Sequence, residues 1–133
     1  MNDASKLITT TDELERALNI LCEFNVIAID TEFIRESTYY PQLCLIQLAA
    51  GDHYFAVDPQ SDMIELTALF EMMTNKDILK VFHAGRQDIE IFVHLTGSIP
   101  DPIFDTQIVC FESIFTKIKN ILEAKRLSKT LCA

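Results

Sequence analysis

The stretch "VIAIDTEF", residues 26–33, limits the fold more than any other part of this 133-residue chain. Four apolar residues in succession fit a β-strand covered on both faces, the pattern of a central strand in a layered α/β domain. The run then stops at Asp30 and Glu32. Side chains at i and i+2 of a strand share one face, with their bases roughly 6.5–7 Å apart. Two carboxylates so placed at the end of a buried strand lose solvation and repel each other unless a cation or donors meet them. Hard oxygen ligands at that spacing suit Mg²⁺ or Mn²⁺. The plainer reading has Asp30 capping the next turn and Glu32 exposed, and a D-x-E triplet alone does not decide between the two.

The flanking sequence supplies the layers such a strand needs. Thr10-x-x-Glu13 fits a capping box, followed by a helical run through Leu14, Ala17, Leu18 and Leu21. "LCLIQLAA" (43–50) and "HYFAVDP" (53–59) read as two more strands joined by a tight hairpin at Gly51-Asp52. Ile64, Leu66, Leu69, Phe70 and Met73 predict a second helix over 62–74, and "ILKVFH" (78–83) a fourth strand. Gly85 opens a helix that Gly97 closes, and "PIFD" (102–105) is a short fifth strand with helical residues after it. A three-strand meander followed by strands alternating with helices predicts a mixed sheet in an α/β domain.

The helix "GRQDIEIFVHL" holds a second acid that resists a surface reading. At 100° per residue, Ile89, Ile91, Phe92, Val93 and Leu95 fill one arc, and Arg86, Gln87, Glu90 and His94 the other. Glu90 sits on the wet side, four residues from both Arg86 and His94. Asp88 falls in the middle of the apolar arc. First-turn placement gives it only about 0.3–1 kcal/mol from the helix dipole, less than the cost of facing a core with no donor or cation. His83 reads first as a satisfied core histidine and second as a group touching substrate. Cys44 reads as packing, and His53 and His94 as exposed and unpaired. There is no Gly-rich phosphate loop, no G-x-S-x-G and no Cys/His pairing for a covalent mechanism.

Composition narrows the class. A chain of 133 residues that is 49% hydrophobic builds one domain with a real core. No apolar run approaches the roughly 20 residues of a membrane span, and "MNDASKLITTTDELERAL" lacks the pattern of a secretory signal. Cys22, Cys44, Cys110 and Cys132 are scattered with no C-x-x-C pair, as for free thiols in a reducing cytoplasm. A net charge of −9 argues against holding nucleic acid on a broad basic surface. That charge is uneven: residues 1–110 carry 6 Lys/Arg against 18 Asp/Glu, residues 111–133 carry 5 against 2.

Together, "FNVIAIDTEFIRESTYYPQLCLIQLA", "FAVDP", "LKVFHAGRQDIEIF" and "IFDTQI" resemble ribonuclease D, in the DEDD superfamily of 3′–5′ exonucleases with a ribonuclease-H-like fold. The pieces follow the family's order from about residue 10 to 109. The resemblance implies a ribonuclease-H-like mixed sheet, an antiparallel meander and then parallel strands, flanked by helices and incomplete at its C-terminal side. It implies that Asp30 and Glu32 are the acids of the first exonuclease motif and Asp88 the acid of the second, acting as catalytic metal ligands. Family members hold two divalent metals, Mg²⁺ or Mn²⁺, that activate a water and stabilise the leaving 3′ oxygen. Such cations outweigh carboxylate repulsion, so an acidic domain can still process RNA. Asp105 matches a position that supports the site without being the fourth ligand, with His83 as a further supporting candidate. The implied partners are RNA 3′ ends, tRNA precursors among them, in the cytoplasm, with no membrane and no obligate protein partner.

The chain also departs from the family. The third motif, Tyr-x-x-x-Asp, supplies the fourth acid and a tyrosine that orients water. The tyrosines here are Tyr39, Tyr40 and Tyr54, all before Asp88, and the Tyr54/Asp58 pair lies within a strand and its exit, so it is rejected. Residues 1–110 therefore read as a partial exonuclease domain. Residues 111–133 read as a basic amphipathic tail, with Ile114, Phe115, Ile118, Ile121 and Leu122 beside Lys117, Lys119, Lys125 and Arg126. The favoured reading of the tail is a non-native end from a frame change or early stop; the alternative is a basic RNA- or membrane-contacting segment. The alternative to an exonuclease is a non-catalytic nucleic-acid-binding or decayed fragment lacking the fourth acid and the tyrosine.

Overall fold

The apolar run of residues 26–29 lies inside a six-stranded sheet in the computed structural model, which describes residues 7–35 and 40–107. The elements are β1 (Leu7–Ile8), α1 (Thr11–Leu21), β2 (Val26–Ile34), β3 (Gln42–Ala50), β4 (His53–Val57), α2 (Thr67–Met73), β5 (Leu79–Phe82), α3 (Arg86–Thr96) and β6 (Ile103–Asp105). Strand order is β1-β4-β3-β2-β5-β6. β2, β3 and β4 form the antiparallel meander, and β5 and β6 add in parallel on the other side of β2. This is the mixed α/β sheet that the sequence implies, with β2 flanked by a strand on each side.

Strand alternation sends Ile27 and Ile29 of β2, with Ile46, Leu48 and Ala50 of β3, into one core. Leu14, Leu18 and Leu21 of α1, Leu69, Met72 and Met73 of α2, and Ile91 and Phe92 of α3 close over it. Each fully buried large side chain contributes about 1.5–3 kcal/mol. The Thr10 hydroxyl accepts the Glu13 N–H at 3.3 Å and starts α1, while Glu13 Oε2 accepts from Thr9 N rather than Thr10 N, so the capping box closes one residue early. Gly51 turns the β3–β4 hairpin at φ +56°, and a Cβ there would lie 2.6 Å from Phe24 Cε1.

Three expectations need correction. Spacing predicts a helix over 62–74, but α2 is Thr67–Met73. Residues 61–65 are committed elsewhere: Ser61 Oγ donates to Thr9 O at 2.5 Å, Thr11 N to Met63 O at 3.2 Å, and Glu65 N to Thr11 Oγ1 at 2.8 Å. These bonds tie the segment to the start of α1 and hold it out of helical form. Leu95, assigned to the apolar arc, is exposed because the last turn of α3 runs past the core. His53 and His94 are exposed but not unpaired: His53 sets its edge on Phe24 and His94 stacks on Tyr40 at 3.8 Å. The sequence also gave no sign of β1, too short to show alternation. Residues 111–133, the basic tail, lie outside the described residues.

Candidate active site

The two strands that lead into the site part company near their ends. β2 and β5 run parallel but pair only over Val26–Ala28 and Leu79–Val81. Beyond Ala28, the β5 side of β2 has no strand partner among the described residues, and the carboxyl ends of such parallel strands are where α/β sheets hold their ligands. A register shift between Glu32 and Phe33 bends the far end of β2 and re-aims it. Asp30 is half-buried and Glu32 exposed.

Helix α3 brings Asp88, which is 6% exposed, to this end of β2. Its Oδ1 accepts the Thr31 backbone N–H at 3.2 Å and also the Thr31 hydroxyl. The donors that a buried carboxylate needs therefore come from the residue between the other two acids. This places Asp88 one residue from both Asp30 and Glu32 across a sequence separation of 57. Glu90, by contrast, pairs with Arg86 on the wet side at 3.2 Å, as its position predicts.

Asp88 is positioned by the loop His83–Gly85, and that loop is held by Asp105. Gly85 ends β5's exit with no side-chain cap for α3. The Asp105 carboxylate on β6 acts instead, accepting Gly85 N at 2.8 Å, Ala84 N at 3.0 Å and Gln107 N at 2.9 Å. Ala84 adopts φ +51°, a left-handed conformation that costs a non-glycine residue about 1–2 kcal/mol. Burial alone would raise the Asp105 carboxyl, but the donors of Gly85, Gln107 and Ala84 and the charge of His83 outweigh it and hold it below its ordinary value. His83 Nδ1 lies 2.7 Å from Thr106 Oγ1, next to Asp105. Both supporting candidates thus act on the loop that carries Asp88.

Two consequences follow for this loop. A Cβ on Gly85 would lie 2.3 Å from Phe82 Cβ, so Gly85→Ala is expected to lower stability by about 1–3 kcal/mol, read as a lower urea midpoint. A midpoint equal to wild type would contradict the close approach. Asp105 contributes stability above the ordinary carboxyl value of 3.8 that is lost as pH falls through its lower folded value. Asp105→Asn turns one acceptor into a donor facing an N–H. Its melting temperature should fall below wild type at pH 7, with the gap narrowing below about pH 4.

The donor set suits a hard divalent cation, three carboxylates with no thiolate or imidazole among them. Among the described residues, no three His, Cys, Asp or Glu side chains are gathered into a group that could hold a metal ion. The three acids share one strand end, but their oxygens do not converge there. Tyr54 and Asp58 stand apart, with β3 between their strand and β2 and with Asp58 Oδ1 accepting Gln60 N. A cavity of about 600 Å³ is lined by Phe33, Arg35, Tyr40, Gln87, Glu90 and His94 among others; Phe33 and Gln87 are chain neighbours of Glu32 and Asp88, but none of the three acids lines it. Sequence reading missed Thr31, whose role needs a partner 57 residues away, and Gln47, which passes for a polar position in an apolar strand.

A family model described as 3′–5′ exonuclease matches residues 6–121. The chain is 57% identical over 107 residues to ribonuclease D of Bartonella henselae, covering 80% of this chain and 26% of that protein. It is 52% identical over 102 residues to ribonuclease D of Nitrobacter hamburgensis, covering 77% and 27%. The crystal structure of Escherichia coli RNase D, described as an exoribonuclease involved in structured RNA processing, superposes with a TM-score of 0.72 at 36% identity. That match covers 89% of this chain and 33% of the other. The chain spans about a quarter of the length of the curated relatives it matches.

Proposed function

The chain belongs to the 3′–5′ exonuclease family and is similar to its ribonuclease D members, and from that membership we propose that its acids serve 3′–5′ exoribonuclease chemistry. The observation that carries this reading is the buried carboxylate of Asp88 bonded to Thr31, between Asp30 and Glu32. Asp30, Glu32 and Asp88 would hold Mg²⁺ or Mn²⁺, two ions in the intact family site. When bound, such ions supply an activated water and neutralise charge on the leaving 3′ oxygen. Thr31 keeps Asp88 at the end of β2 through two hydrogen bonds, and Asp105 keeps the loop before α3 in register. The substrate is an RNA 3′ end, with tRNA precursors and other structured RNAs as the class. Phe33 and the outer faces of the stacked Tyr40–His94 pair, in the neighbouring cavity, offer ring surface on which bases stack. The setting is cytoplasmic.

A second reading is a nucleic-acid-binding module without turnover. It is favoured by one observation: among the described residues no three His, Cys, Asp or Glu side chains are gathered into a group that could hold a metal ion. The two readings separate on 3′-end-labelled RNA incubated with Mn²⁺. Release of mononucleotides from the 3′ end, slow and abolished by chelation, supports the exonuclease. Retention of RNA without cleavage by folded protein supports the binding module. Cleavage that is internal, or indifferent to chelator, contradicts both.

A further inference from the structure

Gln47 is 1% exposed, and neither its Oε1 nor its Nε2 has a hydrogen-bond partner. No other described side chain has buried polar atoms in that condition. An amide buried without partners is a standing cost in an apolar strand, where leucine or methionine would pack without it. Its register explains what it could serve. In the β2–β3 ladder Gln47 stands directly opposite Asp30, and on its other side it faces Ala56 of β4. Directly opposed residues share a face, with Cβ atoms about 4.5–5.5 Å apart. Along β3 its same-face neighbour toward the hairpin is Ala49, which is buried and apolar. On that face Asp30 is the polar residue directly opposite Gln47, with Glu32, opposite Leu45, and Tyr54, opposite Ala49, on the diagonals.

We infer that Gln47 is a positioning residue for Asp30, its neutral amide donating to the Asp30 carboxylate when that carboxylate holds a divalent cation. This rests on the reading of Asp30 as a cation ligand. An amide suits the task chemically. It offers two N–H donors with no charge, so it orients a carboxylate without competing with the cation as a lysine would. Partners of this kind fix ligand orientation, and their loss commonly lowers metal affinity 10- to 100-fold.

Gln47→Met tests the inference, because it keeps length and apolar bulk and removes the donor. Free Mn²⁺ is followed by electron paramagnetic resonance on the full chain, wild type, Gln47→Met and Asp30→Asn, alongside melting temperatures without cation. The expected result is a Gln47→Met melting temperature equal to or above wild type, with Mn²⁺ affinity weakened about 10- to 100-fold. Affinity within threefold of wild type would overturn the inference and leave the Asp30 reading intact. Wild type that binds no Mn²⁺, or Asp30→Asn that binds it as well as wild type, would overturn both. If Gln47→Met does not fold, Gln47→Leu replaces it, and failure of both would make Gln47 a packing residue and overturn the inference.

Discussion

Asp30→Asn is expected to weaken Mn²⁺ binding by more than about 100-fold and to remove 3′-end hydrolysis below detection. The reasoning runs through its position. Asp30 is half-buried at the point where β2 outlasts its pairing with β5, and it shares a face with Glu32. Asparagine keeps the shape and replaces an anionic oxygen by a neutral amide, which is a far poorer ligand for a hard cation. Loss of a group that merely orients a ligand costs about 10- to 100-fold, so loss of a ligand costs more. Equilibrium Mn²⁺ binding and a chelator-controlled RNA assay check the two parts. Undiminished affinity would remove Asp30 from the site.

The largest effect on stability is expected at Lys80, which has no catalytic part. Its side chain is fully buried in β5, and Nζ donates to Asn75 O and Asp101 O, each at 2.7 Å. It thereby joins the loop before β5 to the loop before β6, and β6 carries Asp105. Lys80→Ala opens a cavity and orphans two carbonyls, for an expected loss of about 3–5 kcal/mol by urea unfolding. That is a large share of the roughly 5–15 kcal/mol typical of a domain. A loss under about 1 kcal/mol would contradict this role. Lys80 also sets a pH dependence. Burial, and then the charge of Lys76, push its pKa down from 10.5 to about 8. The unfolded chain binds more protons in that window, so the Lys80 contribution makes stability rise with pH between about 8 and 10.5. Lys80→Met should lack that rise.

How far the sequence could be read differs from residue to residue. The run "VIAI" announces a strand covered on both faces, and it is the strand between the meander and the parallel pair. Asp88 stands out on a helical wheel because a carboxylate in an apolar arc demands a donor, and the structure supplies Thr31. What the wheel could not show is which donor, since that depends on a contact 57 residues away. Asp105 reads from the sequence as a supporting group, but its donors from Ala84 and Gly85 arise only when β6 lies beside the β5 exit, while the Gln107 N–H is local. Gln47 and Lys80 were invisible for one reason. A single polar residue in an apolar strand reads as a solvent-facing position, and only the layers over the sheet show that both are buried. The second helix was overread because residues 61–65 have helical spacing yet bond to the start of α1.

The central proposal is that Asp30, Glu32 and Asp88 come together around a divalent cation at the parting of β2 and β5. Thermal unfolding of the full chain across a Mn²⁺ titration tests it most directly, since a ligand bound only by the folded state raises the melting temperature as its concentration exceeds Kd. The expected result is a steady rise for wild type that is absent from Asp30→Asn, Glu32→Gln and Asp88→Asn alike. A flat wild-type curve, or a rise that survives all three substitutions, would contradict it.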